Sequence, residues 1–141
     1  MWRNILIAGG GMTIFLLWLM YRFEHTGISS FMQIFSVPAG ARHSLSPFEQ
    51  SLFFTVFVFM QFWNMFNARA FATHQSAFRL RGCKGFLLIA TLIFAGQILI
   101  VEYGGELFNV VPLGAADWFW IIALTSSVIW LGEIGRFYRK K

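Results

Sequence analysis

Four stretches of this chain carry no charged side chain and approach the length of a bilayer crossing: residues 4–21, 50–68, 85–101 and 118–132, of 18, 19, 17 and 15 residues. At about 1.5 Å rise per residue the first three make helices of roughly 25 to 29 Å, close to a hydrocarbon thickness of about 30 Å. The fourth is short for a crossing. Its helix is expected to continue past Glu133, because Ile134 and Gly135 follow before the next charge at Arg136. The pattern therefore predicts an all-α, polytopic membrane protein: a single membrane domain over 1–141 with four transmembrane helices at about 4–22, 49–68, 84–102 and 116–136.

Composition supports this reading. With 57% hydrophobic residues, only 12% charged and 18 phenylalanines, the chain holds more apolar surface than a water-soluble core of its size absorbs. The formal charge of +5 does not point to nucleic acid. Its basic residues flank apolar blocks instead of lining one solvated face with aromatics interleaved. The amino terminus, the connection 69–84 and the carboxy tail carry Arg3, Arg69, Arg79, Arg81, Lys84, Arg136, Arg139, Lys140 and Lys141 against Glu133 alone. The other two connections carry Arg22 and Arg42 against Glu24, Glu49, Glu102, Glu106 and Asp117. Nine basic residues against two predict that both termini face the cytoplasm.

A signal peptide over residues 1–20 is the competing reading of the first run. The small-residue site Ala39-Gly40-Ala41 lies too far beyond the apolar core for cleavage, so a retained first helix is expected. The connection 69–84 reads as either a short amphipathic turn on the inner leaflet or a solvated basic loop. The tail 139–141 reads as a helix-end anchor to anionic lipid. Cys83 is the only cysteine, which excludes an internal disulfide and paired-thiol chemistry and leaves an ordinary buried or interfacial thiol.

Polar side chains inside a membrane run need a structural or a functional reason. The second run holds the densest set, Thr55, Gln61, Asn64 and Asn67. The last three follow at three-residue spacing and are read as one helical face. Amide oxygens suit calcium as neutral hard ligands, and they equally suit hydrogen bonding between helices. Gln97 and Thr91 are the polar residues of the third run. Thr125, Ser126 and Ser127 in the fourth are expected to bond their own helix backbone or a neighbour. Gly9-Gly10-Gly11 reads as a close-packing or kinking site, since no Gly-Lys-Ser/Thr follows to make a phosphate loop. No catalytic or cofactor-binding constellation emerges. His25, His43 and His74 sit in connections, which disfavours paired haem ligation, and the first run lacks the acid of a small proton-coupled exporter.

The segment Phe57-Val58-Phe59-Met60-Gln61-Phe62-Trp63-Asn64-Met65-Phe66-Asn67-Ala68-Arg69 closely resembles the eighth transmembrane helix of P-type calcium ATPases, particularly of the plasma-membrane branch. The resemblance continues through Gln97-Ile98-Leu99-Ile100-Val101-Glu102-Tyr103-Gly104-Gly105-Glu106-Leu107-Phe108 and through Leu131-Gly132-Glu133-Ile134-Gly135-Arg136-Phe137, similar to the ends of the ninth and tenth helices. Met1-Trp2-Arg3-Asn4-Ile5-Leu6 resembles the start of the seventh. It covers essentially the whole chain as the last four of ten helices, and family topology agrees with the orientation drawn from charge.

The resemblance implies a carboxy-terminal support module that braces the ion-binding helices of a calcium-translocating pump. It makes Gln61, which matches a Glu ligand in reticulum-type pumps and a Gln in the plasma-membrane type, a neighbour of the metal-ion site. It gives Asn64, Asn67, Gln97 and Glu133 helix-packing or site-supporting roles. The implied partners are the remaining helices and cytoplasmic domains of the pump and the lipid bilayer, in the plasma (inner) membrane. The parent pump would use Mg-ATP and transport calcium. The 141 residues contain no Asp-Lys-Thr-Gly-Thr phosphorylation motif, no Pro-Glu-Gly-Leu and no Asn-Asp helix, so by themselves they are expected to need no cofactor, to hydrolyse no ATP and not to hold calcium tightly. The alternative is a freestanding four-helix membrane scaffold or binding protein.

Overall fold

The computed structural model describes residues 2–28 and 30–139, apart from the Asn4 side chain, so the tail lysines expected to anchor to lipid lie outside the described residues. The chain forms α1 (Trp2–His25), a one-turn α2 (Gln33–Ser36), α3 (Pro47–Thr73), α4 (Lys84–Tyr103), a one-turn α5 (Gly105–Phe108), α6 (Ala115–Thr125) and α7 (Ser127–Arg139). No strand occurs among the described residues. Four helical segments are long and apolar enough to cross a membrane: Ile5–His25, Pro47–Thr73, Lys84–Tyr103, and Ala115–Arg139, the last made of α6 and α7 together. Each reaches past its uncharged run, because a charged residue at a helix end can extend its stem to the interface.

The start of α3 is set by local chemistry. Ser46 caps it with a complete capping box, its hydroxyl accepting from the Glu49 amide at 3.2 Å while its own amide donates to Glu49 Oε2 at 2.8 Å. Pro47 follows at the first helical position, where its missing N–H costs nothing. The helix ends at His74, in the left-handed region at φ 55°.

α3 is the hub of the bundle and packs against α1, α4, α6 and α7. Half of its membrane window is buried, against 11% for α1 and 17% for α4 and for the α6–α7 span. Aromatic rings fill its contacts: Phe59 meets Phe94 at 5.5 Å and Trp118 at 6.1 Å, and Phe66 meets Phe86 edge-on at 4.9 Å. α1 joins the core through Leu19 and Phe23, both wholly buried, with Met12, Phe15 and Leu16 packed against it, and Phe23 meets Phe53 of α3 edge-on. α1 runs unbroken through Gly9, Gly10 and Gly11, and among the described residues nothing beyond the helix's own nearby backbone lies within 4 Å of a Cβ built on any of them.

The fourth crossing has a break at Ser126 that its hydroxyl residues explain. Thr125 Oγ1 donates to the Ile121 carbonyl at 2.6 Å and Ser126 Oγ to the Ala123 carbonyl at 2.6 Å, while the Ile129 amide bonds three residues back to Ser126. The connection 74–83 forms turns with Ala77 buried, and no amphipathic helix. At the other side of the bundle Gly104 lets α4 turn into α5: a Cβ there would lie 2.2 Å from the Ile100 carbonyl oxygen.

Candidate ion-site support region

Three of the polar groups on α3 are joined to other helices of the chain, one helix each. Thr55 Oγ accepts from Gln97 Nε2 of α4 at 3.3 Å, with Thr55 wholly buried and Gln97 4% exposed. Trp63 Nε1 donates to Thr125 Oγ1 of α6 at 3.1 Å. Asn67 Nδ2 donates to the Val128 carbonyl of α7 at 2.8 Å, and Asn67 Oδ1 accepts from Arg136 Nη2 at 3.2 Å. Asn67 lies so close to α7 that a Cβ at Gly132 would meet its amide oxygen at 2.1 Å. Glycine at 132 is therefore a condition of that contact.

Glu133 ties the basic connection to α7. Its Oε1 accepts from Ser76 Oγ at 2.9 Å, from the Ala77 amide at 2.5 Å and from Arg136 Nη2 at 2.7 Å. Arg136 also lies over the Phe71 ring, 5.9 Å from its centroid. The carboxylate, guanidinium and Asn67 amide thus form one network at the basic end of the bundle. Nη2 carries both of the guanidinium's hydrogen bonds in this network, while Arg136 Nε and Nη1 are buried without a hydrogen-bond partner among the described residues.

Gln61 and Asn64 are placed differently. Gln61, the fifteenth of the 27 residues of α3, is exposed, Asn64 is half-buried, and neither makes a side-chain hydrogen bond to a described residue. The reading that Gln61, Asn64 and Asn67 share one face is corrected. Three residues advance a 3.6-residue helix by about 300°, so two such steps turn Asn67 roughly 120° away from Gln61. Asn67 enters the α3–α7 contact, Gln61 points away from it, and Asn64 lies between.

Four of the five acids of the opposite side, Glu24, Glu49, Glu102 and Asp117, hold local structure together. Glu49 sits 2% exposed in the capping box, and Glu102 Oε1 accepts from Trp118 Nε1 at 2.8 Å and the Leu113 amide at 3.2 Å. Asp117 accepts from the Phe31 amide at 2.9 Å, and Glu24 pairs with Arg42 at 3.3 Å. Among the described residues no group of three or more His, Cys, Asp or Glu is arranged to hold a metal ion. His43 has its pKa raised, first by the hydrogen bond of Nδ1 with the Ser44 carbonyl; partial burial opposes this, and Glu49, 3.9 Å away, adds to it. Cys83 is half-buried, its thiol directed at the Leu80 carbonyl.

Thr125 bonds both its own helix backbone and a neighbouring helix, as expected of it, whereas sequence spacing missed Trp63, Gly132 and Arg136 as members of these contacts. The detectable signal was the pair Gly132-Glu133 with Arg136 about one turn on.

The whole chain was compared with known proteins. Residues 1–138 match the family described as "Cation transporting ATPase, C-terminus". Plasma membrane calcium-transporting ATPase 4 of Bos taurus is 28% identical over 108 residues, covering 72% of this chain and 9% of that protein. Plasma membrane calcium-transporting ATPase 2 of Oreochromis mossambicus is 31% identical over 106 residues, with 72% and 10% covered. Calcium-transporting ATPase 2 of Cryptococcus neoformans is 38% identical over 74 residues, with 48% and 5% covered. The chain thus spans at most about a tenth of the length of these relatives. With a family match over nearly its full length and four helices fit to cross a bilayer, the chain belongs to the cation-transporting ATPase carboxy-terminal family as a multi-pass integral membrane domain, similar to the corresponding part of plasma membrane calcium-transporting ATPases.

Proposed function

We propose that this domain braces the ion-binding helices of an ATP-driven calcium pump and is itself non-catalytic. In this reading both termini face the cytoplasm, the missing helices and cytoplasmic domains are its partners, and they bring the Mg-ATP chemistry and the charged calcium ligands. One observation carries the reading: Gln61 holds an exposed amide, unpartnered among the described residues, halfway along a membrane-crossing helix on which Thr55, Trp63 and Asn67 are bonded to neighbouring helices. An amide facing hydrocarbon without a partner is costly. Gln61, with Asn64 beside it, therefore faces a polar surface supplied from outside these four helices. Asn67, Gln97 and Glu133 hold α4, α7 and the basic connection to α3, and so keep that face in place.

The test is Gln61→Leu in the complete pump, which removes the amide at nearly constant volume. Calcium-dependent phosphorylation should require more calcium while the melting temperature stays within a degree or two of the parent. Unchanged calcium dependence with a lowered melting temperature would leave Gln61 as a packing residue. The hydrogen-bond loss would then be about 0.6 to 2 kcal/mol.

A further inference from the structure

We propose that the connection between α1 and α3 is a membrane-interfacial element, seated among lipid headgroups and upper acyl chains with Met32 and Phe35 facing lipid. The inference needs only that α1 crosses a membrane, and is independent of what the domain transports.

The segment 26–41 has sixteen residues without one charge, although it joins two membrane helices on the side that carries most of the acids. Its depth is fixed by contacts with α1. Phe35 packs against Trp18 at 6.2 Å, and Arg22 Nε donates to the Ile34 carbonyl at 3.0 Å while Nη2 reaches the Val37 carbonyl at 2.5 Å. Trp18 lies inside the membrane-crossing part of α1, and Arg22 is one turn further, about 6 Å along the axis. α2 therefore sits between the level of an interfacial tryptophan and that of the first charge above it, the zone where aromatic rings and short amphipathic helices settle.

The two faces of α2 differ. Phe31 and Ile34 are wholly buried against the chain, whereas Met32 and Phe35, three apart, are 41% and 50% exposed. Their exposed surface continues that of α1. Phe15 stacks on Trp18 at 5.9 Å, Trp18 meets Phe35, and Phe35 meets Phe31 at 6.2 Å, giving one aromatic strip from crossing helix to connection. The carbonyls at the end of α2 are met by the Arg22 guanidinium, as desolvated helix ends require. The first charge after the segment, Arg42, turns back to Glu24, and with Arg22 marks its water-side boundary.

The partner is thus the lipid of the leaflet at this end of the bundle, and the experiment probes it directly. The unmodified full-length protein is reconstituted in phosphatidylcholine vesicles containing a phosphatidylcholine with a photoactivated diazirine next to the acyl ester. Illumination should attach lipid within residues 31–37 as well as to α1. Attachment to α1 without attachment to 31–37 overturns the proposal. A second measurement places a nitroxide at Phe35→Cys and, as a water reference, at Arg42→Cys. At Phe35 the ratio of oxygen to nickel-chelate collisions should be several-fold higher than at Arg42. A ratio equal to that at Arg42 would mean a solvated loop. Low collision with both reagents would mean another protein segment covers the face, and either result refutes lipid contact.

Discussion

Gly132→Ala is the sharpest test of how the fourth crossing is held, because helix propensity and packing predict opposite signs. In a helix interior, alanine is favoured over glycine by about 1 kcal/mol, so on propensity alone the substitution in α7 is stabilising. The structure puts the new Cβ 2.1 Å from Asn67 Oδ1, 2.5 Å from its Cγ and 2.7 Å from Nδ2. Asn67 is 8% exposed and cannot swing to solvent. Either the helices separate, at the roughly 1–3 kcal/mol typical of overpacking, or the amide leaves Val128 and Arg136 and forfeits two bonds of about 0.6 kcal/mol each in a membrane. Set against the propensity gain of about 1 kcal/mol, the overpacking cost leaves a net destabilisation of up to about 2 kcal/mol. The readout is the unfolding midpoint in detergent for Gly132→Ala, Asn67→Ala and the double variant. Asn67→Ala removes the obstructing amide, so the double variant should be more stable than the two single effects added together predict. A stabilised Gly132→Ala, or strictly additive effects, would refute the close approach of α3 and α7.

Three further outcomes follow from other contacts. The folded pKa of His43 is raised above 6.5; a raised value means its contribution is complete below pH 6.5 and fades as pH climbs through the folded value. The melting temperature of the parent should therefore fall relative to His43→Gln as pH rises above 6.5, and parallel pH profiles would contradict this. Glu133→Ala removes the acceptor of the Ala77 amide, so exchange of that amide should quicken about ten-fold or more, as loss of a charge-assisted bond of about 1.5–3 kcal/mol implies; unchanged exchange would show the connection is held otherwise. With both termini cytoplasmic, His43→Cys and Asn109→Cys should react with an impermeant thiol reagent on intact cells while His74→Cys does not, and external labelling at His74 would reverse the topology.

The four crossings were legible because a bilayer demands long uncharged runs, a property of consecutive residues. The extension of the last helix was legible for the same reason, once Glu133 was allowed near its end. The hub role of α3 was only hinted at by its density of polar side chains. What escaped was set by partners far along the chain. The Phe31 amide meets Asp117 across 86 positions and Asn67 meets Val128 across 61, and no local period encodes such pairs. Three-residue spacing also misled. It made neighbours of Gln61 and Asn67, which a helix of 3.6 residues per turn carries to different sides. Glycines were legible as small but not as to use: Gly132 is pressed against an amide, while a Cβ at Gly9, Gly10 or Gly11 would meet no other element among the described residues.

The interruption at Ser126 has a mechanical meaning. The first half of the fourth crossing is fastened through Asp117 to the connection after α1, through Trp118 to α4 and through Thr125 to α3, and the second half through Val128 and Arg136 to α3. A straight rod fastened at both ends would carry any shift of one attachment undiminished to the other. Here the ladder of backbone bonds shortens its step between the two sets of fastenings, at Ser126 and Ile129. The segment is thus two helices with separate sets of fastenings, α6 and α7, meeting at one irregular residue.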